Sequence, residues 1–443
     1  MGCSATHPPR AIVLALDGII FGAMDCAAET SRLPGLSSLF GHGVRCGIRS
    51  TTPPSPACAW TSFSTAQDPG QHGVFDSQQL RPGTYDLVPA AEGCCRSRTL
   101  WHYLNGLGLR VGLYGVLWAC PPPALNGWDI RAGDEADAGP LGALLESDPV
   151  DVCVLGVRPE SWGDVHEALS VRSEETAIIA VAAYGVVPTR VRVNVARVLA
   201  DAGLLCYRSD AHGAQAVGFE HVDWARTRAF SWGGFAQVRL NLRGREPEGV
   251  VAPEEGEGIV AEVRQALLHT EHPETGERLF SEARTPGELY QGPNVGAAAD
   301  VLGLSVSGVD ASIHIAAPEA PLFPGANGRA TVPTREGLLL AGGPAFRAGD
   351  GEAIARAARS AAGLGEPTIM DVGPTLLHAL GLPLPQDIDG RPIRRVFDPG
   401  YLAEHPPRYS EARLGCHETT DEPVYSQGEA EQVEKRLRDL GYM

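Results

Sequence analysis

Residues 11–18 read AIVLALDG, six apolar residues closed by an acid and a glycine. An apolar run of that length without polar alternation is the pattern of a strand covered on both faces. Such a strand projects Asp17 into a cleft at the carboxyl edge of a parallel sheet. The plainer reading makes Asp17 the cap of a following helix. Which reading holds depends on whether the rest of the chain supplies a sheet.

It does so in regular order. TLWHYLNGLGLRVGLYGV at 99–116 reads as helix, glycine stop and strand, and DPVDVCVLGV at 148–157, ETAIIAVAAYG at 175–185 and REGLLLAGG at 335–343 read as further strands. Strands alternating with helical patterns predict an α/β fold with a doubly wound, mostly parallel sheet. Between about 190 and 295 the pattern changes. RVRVNVARVLADAGLL (190–205) reads as a helix, RAFSWGGFAQVRLNLRGREPEGVV (228–251) as short strands with glycine turns, and IVAEVRQALLHT (259–270) as an amphipathic helix. The expected organisation is a core over 1–189, an inserted cap over 190–295, the rest of the core over 296–397, and a polar tail over 398–443. Within the tail, EAEQVEKRLRDLGY (429–442) has the spacing of a terminal helix.

Bulk properties narrow the function. The 443 residues are 43% hydrophobic and 20% charged, ordinary values for a compact chain. A formal net charge of −18 argues against nucleic acid and anionic lipid as partners. Lys435 is the only lysine, so Schiff-base chemistry is set aside, and the Ala/Gly/Arg/Val-heavy composition suggests a GC-rich bacterial gene. The ten cysteines form no CxxC pair or His/Cys cluster and read as reduced, buried small residues, which predicts a cytoplasmic location. No apolar run reaches membrane-spanning length, and the start MGCSAT fits acylation at Gly2 only in a eukaryotic setting that the composition does not suggest.

Five stretches together carry a family resemblance: ALDG; PACAWTSFSTAQDPGQHGVFD at 56–76; the 99–116 segment with PPPALNGWDI after it; the 228–251 segment; and IMDVGPTLLHALGLPLPQDIDGRPI at 369–393. From Ala11 to about Val396 the chain resembles the type I phosphodiesterase/nucleotide pyrophosphatase branch of the alkaline phosphatase superfamily. The resemblance implies two divalent metals, usually zinc, held by Asp and His at the carboxyl ends of the strands, with a Thr or Ser attacking phosphorus. Asp17 matches the Asp of the first strand. The nucleophile position, counted back from DPGQHG, falls on Pro56. The Ser-Asp-His-Gly corner corresponds to Ala182-Ala183-Tyr184-Gly185, the Asp-x-x-x-His pair at best to Trp162 and His166, and the closing His to Pro333. The zinc expected for the family is therefore not supported, and no metal or other cofactor is predicted.

Several side chains remain as candidates for chemistry in such a cleft. Ser55 regains the nucleophile position if one residue is inserted before Ala59-Trp60-Thr61; otherwise it makes an ordinary turn bond. Cys58, at the start of the TSFSTAQ helix, is the better intrinsic nucleophile, or a packed small residue. Tyr184 presents a phenol where the family has a His, as donor or acid, or fills the emptied metal cavity. His72, His166 and His314 are candidate bases near strand ends. Arg243 and Arg245, beside Asn241, are candidate grips for an anionic substrate, or members of a salt-bridged hairpin. The expected catalytic set is Asp17, Ser55, Cys58 and Tyr184, with Arg243, Arg245, His166 and His314 binding substrate. Retention of the loop and cap favours a repurposed enzyme doing metal-independent chemistry on a small metabolite, in a setting such as specialised biosynthesis. The alternatives are a silent homologue that binds a ligand or protein partner, and a residual phosphodiester hydrolase.

Overall fold

The computed structural model describes residues 8–17, 43–90, 95–116, 125–131, 139–157, 162–211, 218–313, 317–324, 331–348 and 365–416. The Ala11–Leu16 strand lies at the centre of a seven-stranded sheet. Its order is Val44–Arg49, Glu336–Gly342, Ala177–Ala182, Ala11–Leu16, Val152–Val157, Val111–Val116, Trp128–Arg131. Ala11 pairs in parallel register with Val152 on one side and Ala177 on the other. Glu336–Gly342 alone runs antiparallel to its neighbours in this sheet. The mostly parallel, doubly wound α/β architecture expected from the sequence is the one observed.

Two-sided burial explains the unbroken apolar text of the strands. Alternate residues of the central strand feed different cores: Ala11, Val13 and Ala15 join one with Trp60, Phe63 and Trp101, whereas Ile12, Leu14 and Leu16 join another with Leu141, Val165 and Leu169. Each fully buried Leu or Ile contributes roughly 1.5–3 kcal/mol. A charge anywhere inside 11–16 would therefore have no face to emerge from. The first polar position is Asp17, one residue beyond the strand.

The helix Pro56–Thr65 covers one of these faces, and all ten of its residues are buried. Pro56 occupies its first turn, where a missing N–H costs nothing and the fixed φ suits helix entry. Ser55 before it is extended, as a residue preceding proline prefers. The helix ends at Ala66 in the left-handed region, φ 53°, and the Ala66 carbonyl accepts from the Asp389 and Gly390 N–H groups at 3.0 and 3.1 Å. It thus starts earlier than the TSFSTAQ segment.

A second compact unit comprises described residues from 69–90 and 187–332, wider than the 190–295 expected from the sequence. Its four-stranded antiparallel sheet has the order Ala229–Trp232, Gln237–Leu240, Val301–Ser305, Phe280–Arg284, with the Gly256–Leu268 helix packed through Ile259, Val263 and Leu267. The stretch 190–205 is not one helix. It forms the strand Val191–Asn194, paired with Val309–Ile313, and only then the helix Val195–Asp201. The β-branched VRV alternation prevails there, with Arg192 held by the buried Asp310 at 3.1 Å and Asn194 capping the helix through Arg197 N–H. Asp76 organises a turn in the same unit: its carboxylate accepts from Gly234 N–H at 2.9 Å and Gln237 Nε2 at 2.7 Å. The 429–442 segment, expected to be helical, lies outside the described residues.

No helix among the described residues is long and apolar enough to cross a membrane. Cys46, Cys58, Cys95 and Cys153 are buried and form no disulfide, and burial pushes Cys153 up to about 12, which makes it inert near neutrality.

His72 is fully buried in the second unit, and its Nδ1 accepts from Val74 N–H at 3.1 Å. Burial pushes its pKa down to about 3. Because the folded value lies below the unfolded one of about 6.5, the stability it contributes is complete above that value and is lost as pH falls toward 3. Urea midpoints measured from pH 7 to pH 4 are expected to fall more steeply for the unaltered chain than for His72→Asn. Equal slopes would show that His72 does not carry this acid sensitivity.

Candidate functional site

Asp17 follows directly on the central strand, and its backbone N–H still reaches the Val157 carbonyl at 3.3 Å. Strand geometry therefore fixes where its carboxylate points. Tyr184 stands two residues beyond the neighbouring Ala177–Ala182 strand and is 1% exposed. Trp60 comes from the Pro56–Thr65 helix and is 4% exposed. Three elements thus converge at the carboxyl edge of the sheet.

They converge on one oxygen. Asp17 Oδ1 accepts from the Tyr184 hydroxyl and from Trp60 Nε1–H, the latter at 3.3 Å. Two neutral donors can stabilise a half-buried carboxylate without any cation. The Trp60 ring is itself fixed edge-on against Phe63 at 5.9 Å, and Phe63 against Trp101 at 6.0 Å, so the donor is anchored in the core. Beside the carboxylate lies a cavity of about 10 Å³ whose walls include Ala15, Trp60, Gly115, Gly156 and Val157. That is room for about one water molecule. The glycines keep it narrow: a Cβ on Gly156 would sit 2.1 Å from the Gly115 carbonyl oxygen.

Of the expected catalytic set, Asp17 and Tyr184 meet directly. Ser55 and Cys58 have no exposed surface, and neither lines the cavity beside Asp17. Ser55 is the N-cap residue, although its side chain makes no capping bond, and Cys58 is the third residue of the helix, buried in its first turn. A nucleophile so enclosed meets a substrate only if the helix start opens. The participant that sequence reasoning left without a role is Trp60, whose indole N–H is one of the carboxylate's donors. Its signal was present in PACAWTSF, where an indole N–H in a buried segment requires an acceptor.

The expected substrate-binding residues belong to different parts of the chain: His166 to the first compact unit, Arg243 and Arg245 to the second. His166 is exposed on the Trp162–Ser170 helix. His314 lies outside the described residues. Arg243 is exposed and donates to the Val250 carbonyl at 3.2 Å. Arg245 makes a bidentate pair with Asp300 at 2.8 and 2.6 Å, and further bonds to Glu246 and the Leu240 carbonyl. Asn241 is buried, its amide donating to the Trp224, Thr227 and Glu248 carbonyls. Arg245 is thus salt-bridged within the second unit, and Arg243 is exposed.

The two-metal centre implied by the resemblance does not fit these residues. Among the described residues no group of three His, Cys, Asp or Glu side chains is placed to hold a metal ion. Ala182, Ala183 and Pro56 carry no donor atoms, and the one matching carboxylate has Oδ1 committed to a phenol and an indole.

Comparison with known proteins supports the resemblance. The family model described as type I phosphodiesterase / nucleotide pyrophosphatase matches residues 11–123, the span that contains Asp17 and the Pro56–Thr65 helix. Human ectonucleotide pyrophosphatase / phosphodiesterase 5 is similar in structure at 10% identity, with a TM-score of 0.51 over 84% of this chain and 95% of its own, which shows a shared fold. Phosphonoacetate hydrolase from Sinorhizobium meliloti 1021 aligns at 16% identity over 75% of this chain and 89% of its own, with a TM-score of 0.49. No curated protein matches the sequence.

Removal of the phenol oxygen in Tyr184→Phe takes away one donor to a half-buried carboxylate and is expected to cost about 1–3 kcal/mol in denaturant unfolding. Because Tyr184 and Trp60 share an acceptor, a double-mutant cycle with Trp60→Phe should show a coupling of about 0.5–3 kcal/mol. Additivity within about 0.3–0.5 kcal/mol would show that the two donors act independently.

Proposed function

We propose that this chain is a catalytically silent phosphodiesterase-like protein, one that keeps the superfamily fold for recognition and no longer hydrolyses phosphodiesters. The observation that carries the reading is the convergence of Tyr184 and Trp60 on Asp17 Oδ1. The position where the family would place a metal-binding His is held by a phenol that uses the remaining acidic ligand as its acceptor. Two-metal phosphoryl transfer needs a clamp on both the attacking and leaving oxygens, and one committed carboxylate does not supply it.

The repurposed-enzyme reading keeps Asp17 and Tyr184 as a proton-transfer pair. It requires a reacting atom within hydrogen-bond reach of them, and among the described residues the recess beside Asp17 holds about one water. The silent reading needs no such opening and is preferred for that reason.

Metal loading and turnover measured on the same preparation test it. After incubation with zinc and gel filtration, the chain should retain less than one zinc per molecule. It should hydrolyse bis(p-nitrophenyl) phosphate no faster than its Asp17→Asn variant. Two retained zinc ions together with hydrolysis abolished by Asp17→Asn would overturn the proposal.

A further inference from the structure

The opposite end of the same sheet carries a larger opening. Arg10 immediately precedes the central strand whose far end bears Asp17, so six residues at about 3.3 Å each put the two sites roughly 20 Å apart. A cavity of about 310 Å³ lies there, lined by Pro9, Arg10, Glu175, Pro344, Leu380 and Tyr401, among others. This is within the size range of small-molecule sites, which begins near 300 Å³.

Its walls are preformed by hydrogen bonds. Arg10 N–H donates to the Asp151 carbonyl at 2.8 Å, and the Arg10 carbonyl accepts from Ala177 N–H at 2.9 Å. The Thr176 hydroxyl donates to the Pro9 carbonyl at 2.8 Å and accepts from Ser173 N–H at 3.0 Å. The Tyr401 hydroxyl donates to the His378 carbonyl at 2.9 Å, while its ring stacks on Phe397 at 5.9 Å between centroids. Neither the strand start nor the aromatic wall has to be ordered by a ligand.

The lining has one guanidinium with capacity to spare. Arg10 Nη2 donates to the Leu380 carbonyl at 3.0 Å, and Arg10 makes no ion pair among the described residues, although Glu175 lines the same cavity. A guanidinium has five donors in a planar fork that matches a carboxylate. Pro9, Ala345, Leu380 and the Tyr401 ring supply the apolar remainder of the wall. We propose that this cavity binds a small carboxylic acid with an apolar body, its carboxylate on Arg10 and its body against the proline, leucine and tyrosine surfaces. The proposal is independent of whether the Asp17 cleft is catalytic.

Calorimetric titration of the full chain with three probes of one shape tests it: 3-phenylpropionate, 3-phenylpropanol and 3-phenylpropylamine. The acid should bind saturably at one site per chain, at least about tenfold more tightly than the alcohol or the amine, as expected for one charge-assisted contact. Arg10→Met should remove that preference while the unliganded chain keeps its near-ultraviolet circular dichroism. The probe comparison on the unaltered chain stands even if the variant misfolds. Equal affinity for the alcohol or the amine, no saturable binding of the acid at millimolar concentration, or an unchanged preference in folded Arg10→Met would overturn the proposal.

Discussion

A carboxylate at the end of a strand buried on both faces must have its charge met locally, and that constraint organises the carboxyl edge of this sheet. Asp17 cannot turn away, because residues 11–16 are locked between two cores. Among the described residues a phenol and an indole donate to it, each rooted in a different element, and the carboxylate becomes a bracket between the central strand, its neighbour and the covering helix.

The residues around Asp17 are packed as tightly as the strand that leads to it. A proline at the nucleophile position suits the first turn of a fully buried helix, where no hydroxyl is exposed to act. Alanines at 182 and 183 are both fully buried, and Ala183 and Tyr184 join the core that contains Trp60 and Phe63. The buried Tyr184 ring fills space at this edge, where a void would cost more the larger it was. Pro56, Ala182, Ala183 and Tyr184 are thus all packed at this edge of the sheet.

Much of this was legible in the text. Continuous apolar runs identified the buried strands, and the order of Asp17, the 56–76 segment and the 369–393 segment carried the family resemblance. What the sequence left open was association. Ser55 and Cys58 lie near the candidate nucleophile position in the chain, but local spacing does not reveal that both are buried in the helix start. Trp60 gave a readable aromatic, yet its acceptor is 43 residues away. The 190–205 stretch misled because its first residues pair with a strand more than a hundred positions downstream, and tertiary pairing outweighs helical spacing there. The amino-end cavity has no motif at all, since Arg10, Glu175, Pro344 and Tyr401 come from four separate segments.

The central claim is that Tyr184 and Trp60, not metal ions, satisfy Asp17. Crystals grown in the presence of zinc, with anomalous differences collected at the zinc edge, address it most directly. The account predicts no anomalous peak at coordination distance, about 2.0–2.2 Å, from the Asp17 oxygens, with the Tyr184 hydroxyl still bonded to Oδ1. One or two peaks at that distance, with the Tyr184 ring displaced, would contradict it.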